Sequence, residues 1–578
     1  MKHVLSYLKP HTWALTRTMI VKFMGSMMDL FIPFILAIII DDVVPQRQPH
    51  LVYLWGGGMA LCAGLSVTFN IMANRMAAVT SGKVTLKLRH DLFKKLGEVS
   101  MAQFDSISLS SAVSRLTTDT YNINQFLNRT QRIGVRAPIL LIGGLILTSI
   151  LDARLTLVLA LTLPVIALIV FVVTKKSVPM YDKQQQVLDS MVRVMQENIV
   201  GVRVIKALGK TRYEQQRFDD VNKNLAEVGR KAGSVVAASN PLSSLTLNLG
   251  LAVVVLVGAY TVNSGLSRPG SIIAFLNYFT IISGAMMGIT RIFIMSSKGI
   301  ASARRIEEVL QMEADQPQLP AHKQQTPWHI AFEDVSFSYN GVENNISNIT
   351  FRLKQGQTLG IIGATGSGKT TLTNLLLRLY DVTSGTIYID GQDIRSLDPA
   401  TLSDQTGIAF QSDFIMAATI RDNVAYFRDI SDEDIWQALR TAQAEEFVRA
   451  TADGLLHQVE SRGNNLSGGQ KQRLLIARAL ANKPRLLILD DASSALDYRT
   501  DAALRRDLSQ QHQNTTSIII AQRVSSIKGA DQILVLEDGR AIGQGTHDEL
   551  MRTCDTYRDI AQVQMGARQA DVPEQEVG

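Results

Sequence analysis

A chain of 578 residues exceeds one ordinary domain, and 46% hydrophobic residues with a positive mean hydropathy suit a membrane part joined to a soluble part. The net charge of +6 (58 Lys and Arg against 52 Asp and Glu) is what basic loops on the cytoplasmic side of a membrane supply, so it does not call for nucleic acid as a partner. Two distant cysteines, Cys62 and Cys554, exclude a disulfide framework and a cysteine metal cluster.

Met1 to Trp13 is polar and mixed, and reads as a short helix on the inner membrane surface rather than a cleavable signal peptide. Six apolar stretches then have the length to cross a bilayer: roughly 14–40, 51–78, 134–151, 155–174, 240–262 and 270–295. Asp41 to His50, Asp152 to Arg154 and Asn263 to Pro269 are short connections. Segments 79–133 and 175–239 are long, polar and basic, with Lys83, Lys87, Arg89, Lys175, Lys176, Arg203 and Lys206. Their charge places them in the cytoplasm, as helical extensions of the spans. The N-terminus and everything after the sixth span are then cytoplasmic, which predicts a multi-pass protein of the cell membrane.

Polar residues recur at helical spacing inside the spans. Thr18, Lys22, Ser26 and Asp29 form one stripe, Ser66, Asn70 and Asn74 a second, and Asn240, Ser244 and Asn248 a third. Such stripes line a substrate pathway or hydrogen-bond helix to helix; Lys22 and Asp29 exceed what packing needs. The sixth span carries Phe275, Tyr278, Phe279, Met286 and Met287, which suit either adaptable substrate contacts or ordinary bundle packing.

The membrane domain is expected over 1–310 and a linker with Pro317, Pro320 and Pro327 over 311–327. Strands and helices alternate from Trp328, which predicts an α/β domain over 328–566; the polar tail 567–578 is expected to be disordered. Gly363-Ala364-Thr365-Gly366-Ser367-Gly368-Lys369-Thr370 fits the phosphate-binding loop, after an apolar strand and before a helix opening with Thr371. Its amides point at phosphate, Lys369 would pair with the β and γ phosphates, and the Thr370 hydroxyl would reach Mg²⁺. Leu486-Leu487-Ile488-Leu489-Asp490 reads as a strand buried on both faces that ends in a Mg²⁺-holding carboxylate.

Further motifs carry a family resemblance. Leu466-Ser467-Gly468-Gly469-Gln470 matches the signature of ABC proteins, Ser494 to Asp497 their D-loop, Gln411 their Q-loop, and Tyr339 the aromatic that stacks on adenine. The chain resembles a half-transporter of the bacterial multidrug exporter type. That implies a six-span α-helical domain like those of type IV ABC exporters, followed by an α/β P-loop nucleotide domain.

The resemblance also implies ATP and Mg²⁺ as ligands, with Gln411 a further Mg²⁺ contact beside Thr370 and Asp490. Two nucleotide domains would meet head to tail, each ATP lying between one chain's phosphate loop and the other's signature. The family places glutamate where Asp491 stands and histidine where Gln522 stands. A shorter carboxylate and an amide that cannot take up a proton imply a site that binds ATP but hydrolyses it poorly. The unaltered signature implies a heterodimer, whose other half has full catalytic residues. Membrane lipids and a small amphipathic substrate, a drug or lipid, complete the expected partners. A lipid or peptide exporter and a non-transporting regulatory ABC protein are the alternatives.

Overall fold

The computed structural model describes residues 2–312, 319–320, 323–411 and 414–570; within these, a few side chains, those of Asn240, Arg291, Phe293 and Met295 among them, fall outside the description. The chain forms two compact units, Met1–Gly97 with Leu109–Met312, and Glu98–Ser108 with Glu313–Gly578.

In the first unit six helices among the described residues are long and apolar enough to cross a membrane. The expected spans fall within helices Thr12–Ile38, Pro49–Glu98, Val135–Leu151, Ala153–Val200, Ser239–Asn263 and Pro269–Leu310, except that the first continues into a wide turn, Ile39–Val43, and the third begins in another, Thr130–Gly134. The second, fourth and sixth have 50, 48 and 42 residues. At about 1.5 Å per residue each exceeds a hydrocarbon layer of about 30 Å, so it runs well beyond it. The expected extension after the fourth span is not one unbroken helix. It stops at Val200, resumes as a short helix Val202–Ala207 after Gly201, and starts again at Thr211 after Gly209, whose φ of +63° suits glycine.

The Asp152 connection stays short because that side chain caps the next helix, accepting from the Arg154 and Leu155 amides at 2.8 and 3.2 Å. Leu30, Phe275, Tyr278, Phe279 and Ile282 are fully buried together, and the Tyr278 hydroxyl donates to the Leu30 carbonyl at 2.6 Å. These sixth-span aromatics are therefore packing residues.

The second unit holds two sheets. Four strands, β1 (Ile330–Phe337), β2 (Ile346–Leu353), β4 (Ser384–Ile389) and β5 (Gln392–Asp393), form an antiparallel sheet in the order β2-β1-β4-β5. The other sheet is β10-β9-β3-β8-β7-β6, from β3 (Thr358–Gly363), β6 (Thr406–Ala409), β7 (Leu486–Asp490), β8 (Thr516–Ile520), β9 (Gln532–Glu537) and β10 (Arg540–Gly545). Its strands run parallel from β9 to β6, with β10 antiparallel at the edge. Every residue of β7 is buried, as its unbroken apolar run requires.

The helix Gly468–Leu480 packs on β6 so closely that a Cβ at Gly407 would lie 2.0 Å from the Ala479 carbonyl oxygen. Gly407→Ala must push strand and helix apart, at a cost of about 1–3 kcal/mol. The thermal midpoint of the full chain should fall by roughly 2–4 °C for each kcal/mol lost.

The C-terminal helix Asp555–Ala570 extends four residues past the domain boundary expected at 566. Residues 571–578, and Pro317 of the expected linker, lie outside the described residues.

Candidate nucleotide-binding site

Four neighbouring parallel strands deliver their C-terminal ends to one place. β3 ends in the phosphate loop, β8 two residues before Gln522, β7 at Asp490 and Asp491, and β6 two residues before Gln411. The register aligns these ends, with Asp490 beside Ile520, Ile520 beside Ile361 and Leu489 beside Ala409. The carboxyl edge of such a sheet is where open α/β folds bind ligands.

A cavity of about 300 Å³ opens there. Thr365, Gly366, Gly368, Lys369, Thr370 and Thr371 line it, together with Gln411, Asp490, Asp491 and Gln522. Gly363 and Ser367 shape the loop beneath, since a Cβ at Gly363 would lie 2.2 Å from the Leu536 carbonyl oxygen and 2.7 Å from the Ser367 hydroxyl. Gly366 and Gly368 have φ of +87° and +97°, a region that strongly favours glycine. The Lys369 ammonium donates to the Gly363 and Ala364 carbonyls at 2.9 and 2.7 Å. Burial lowers its pKa, opposed by the nearby Asp490 and Asp491 carboxylates.

The residues fit Mg²⁺. Asp490 is 2% exposed, the Thr370 hydroxyl bonds to it, and its Oδ2 is buried without a hydrogen-bond partner among the described residues. An orphaned carboxylate oxygen beside a hydroxyl is the hard oxygen donor set this cation takes.

Burial raises the Asp490 pKa, with Asp491 adding to the rise. Because the folded value lies above the unfolded one, the associated stability is fully present below the unfolded pKa and is lost as pH rises through the folded pKa. Asp490→Asn is therefore expected to raise the thermal midpoint of the nucleotide-free protein at neutral pH. The gain should shrink on acidification, and the added midpoint that Mg²⁺ gives over ATP alone should disappear.

Asp491 and Gln522 touch. Gln522 Nε2 donates to Asp491 Oδ2 at 2.9 Å, and Gln411 Nε2 approaches the same oxygen at 3.4 Å. Asp491 has a φ of +50°, which Asp tolerates better than most residues, and its amide donates to the Ile520 carbonyl at 3.0 Å. That turn directs a short carboxylate at two amide side chains. Its pKa is raised by burial, against the lowering effects of Lys369 and the Gln522 bond.

Tyr339 does not line the cavity. It is 46% exposed, stands edge-on to Tyr380 at 5.0 Å, and accepts from Asn374 on the helix after the phosphate loop at 3.2 Å. The signature residues Leu466 to Gln470 are also absent from the lining of this cavity. Ser467 caps the helix Gly468–Leu480 in a reciprocal capping box with Gln470, so the Gly468 and Gly469 amides open that helix. Asp497 likewise caps the helix Tyr498–Gln511.

Sequence reading missed Asn345, which lines the cavity and accepts from the Tyr339 amide at 2.9 Å. It also missed that the short helix Met101–Ile107 belongs to this unit, where Tyr380 donates to Asp105 at 2.5 Å. No local signal marks either residue.

In the membrane unit the first two polar stripes meet. Lys22 donates to Asn70 and Asn74 at 2.8 and 3.2 Å, and Ser66 hydrogen-bonds Asp29. Arg132 donates to Asn74 at 3.0 Å and Arg136 pairs with Asp29 at 2.8 Å. Two arginines one helical turn apart at the start of an apolar span were the overlooked signal. The third stripe does not join: Asn248 is exposed outside this network, and the Asn240 side chain lies outside the described residues. Met286 is half-buried against the bundle core.

Fold and site define a membrane protein whose soluble unit is a P-loop nucleotide-binding domain. Residues 15–286 match the model of the ABC transporter transmembrane region, and residues 346–494 that of the ABC transporter family. The chain is 34% identical to the uncharacterized ABC transporter ATP-binding protein YfiB of Bacillus subtilis, over 98% of this chain and 99% of that one. It is 30% identical to the putative ABC transporter ATP-binding protein exp8 of Streptococcus pneumoniae, over 98% and 97%. A solved bacterial Atm1-family ABC exporter with ATP bound shares the fold, with a TM-score of 0.82, 24% identity, and coverage of 98% of this chain and 99% of that one. The chain belongs to the ABC transporter family.

Proposed function

We propose that this chain is the ATP-holding half of an asymmetric exporter, moving an amphipathic drug or lipid out of the cytoplasm. The observation that carries the asymmetry is the Gln522–Asp491 hydrogen bond in an otherwise complete site. A general base must reach the attacking water. Here the short Asp491 carboxylate is engaged by an amide that cannot become charged. A displacement near 1 Å can cost about a hundredfold in rate.

On this reading the phosphate-loop amides and Lys369 bind the triphosphate, and Tyr339 supports the base. Thr370, Asp490 and Gln411 would hold Mg²⁺, which draws charge from the β and γ phosphates when bound. The intact signature, Leu466 to Gln470, presents a helix N-terminus to ATP on a second half-transporter whose catalytic residues are intact. ATP closes the two nucleotide domains, and helix extensions carry that motion to the spans. The nucleotide domain and N-terminus face the cytoplasm on this reading, which the basic extensions support.

The test is a single-turnover trap. The assembled transporter is loaded with labelled ATP, quenched after one turnover, and the nucleotide at each site identified. This site is expected to retain ATP while the other holds ADP. Equal emptying of both sites overturns the asymmetric reading.

A further inference from the structure

We infer that the transported molecule carries an anionic group, held in the membrane unit by Lys22, Arg132 and Arg136. The inference rests on the transport reading above and narrows its substrate to amphiphiles with a negative headgroup.

The charge count carries the argument. Among the described residues, Arg132 shares the Asn74 oxygen with Lys22, and Arg136 and Asp29 are the other charged groups beside it. Three cations therefore face one carboxylate, and that carboxylate is already paired with Arg136 at 2.8 Å. Lys22 is only 3% exposed, yet among the described residues it donates to the neutral oxygens of Asn70 and Asn74. Arg132 uses that same Asn74 oxygen, so two cations converge on one neutral acceptor.

Helix packing in a membrane needs hydrogen bonds, not surplus charge. An ionised side chain in a span costs several kcal/mol unless it faces a partner or a water-filled path. Lys22 and Asp29 lie seven residues apart on one face of the first span, about 10 Å along its axis. Arg132 is exposed, and the Arg136 side chain is 44% exposed. Two guanidinium groups do not face hydrocarbon, so this side of the cluster opens to water or to the second half of the transporter. Guanidinium groups spaced one turn apart, with an ammonium behind them, suit a phosphate, sulfate or carboxylate in charge-assisted hydrogen bonds.

The experiment uses the full-length assembled transporter in phosphatidylcholine nanodiscs, titrated calorimetrically with three probes of equal tail length. These are dodecyl phosphate, dodecyltrimethylammonium and dodecyl maltoside. Dodecyl phosphate is expected to bind at least about tenfold more tightly than the other two, a difference of ~1.4 kcal/mol. Arg132→Gln with Arg136→Gln should remove that preference, and both positions are exposed enough to change without emptying a core. Lys22→Met should weaken the phosphate selectively.

A wild-type preference below about twofold, or a preference unchanged in the double arginine variant, overturns the proposal. Carboxylates donated by the other half would produce the first of those results. Adding phosphatidylglycerol separates the sources of the anion: competition with dodecyl phosphate assigns the site to a lipid headgroup, and none assigns it to a non-lipid amphiphile. Selective binding without ATP-dependent accumulation in inside-out vesicles would count against export and leave the anion site standing.

Discussion

Ser467→Ala is expected to lower the ATP turnover of the assembled transporter by about a hundredfold, whereas Asp491→Glu with Gln522→His should change it by less than about twofold. The asymmetry follows from which site each residue serves. Ser467 opens the signature helix and, on the proposed reading, serves the site that uses the other half's phosphate loop. Asp491 and Gln522 belong to this chain's own site, where Gln522 donates to Asp491 at 2.9 Å. Restoring glutamate and histidine repairs one wall only, and cannot speed a cycle limited by opening or closing.

Ser467 also caps a helix, so the alanine variant loses about 0.5–2 kcal/mol of local stability. Ser467→Asn keeps a capping side chain and separates the two effects. A variant that keeps the thermal midpoint but not turnover has lost chemistry. ATPase rates and midpoints for these variants in one membrane preparation make the measurement. Strong acceleration by the double repair, with a silent Ser467→Ala, would place the working site in this half instead.

Lys369→Met should weaken ATP binding at this chain's site by about tenfold to a hundredfold, the worth of one charged hydrogen bond of ~1.5–3 kcal/mol. Among the described residues the ammonium donates to the Gly363 and Ala364 carbonyls, at 2.9 and 2.7 Å. Those acceptors are part of a loop that opens onto the cavity, so the methionine variant should still fold. Turnover should fall as well, because on the proposed reading ATP held here keeps the two nucleotide domains closed even where it is hydrolysed slowly. Equilibrium binding of labelled ATP to the full transporter, with thermal unfolding as a control, checks both halves. Unchanged ATP affinity would remove Lys369 from the phosphate contacts.

The sequence by itself determined the parts that depend on neighbours along the chain. Bilayer-length apolar runs marked the spans, because hydrophobic length is a local quantity. Glycines at set intervals before Lys369 marked the phosphate loop, because positive φ and close backbone approach leave little room for side chains. An apolar run closing on Asp490 marked a doubly buried strand.

Only the tertiary structure decided which of these parts meet. Asp491 and Gln522 are 31 residues apart, and their contact exists because β7 and β8 pair in parallel with Asp490 beside Ile520. Lys22 reaches Asn70 across 48 residues, and Asp29 reaches Arg136 across 107. Nothing in the spacing of a single helix states which helix lies opposite or where it is cut, so Lys22 and Asp29 stood out without their partners and the two arginines went unread. Strand register and helix packing are set by complementary surfaces far apart in the chain, and a cluster of cations drawn from two helices becomes visible only when those surfaces are placed together.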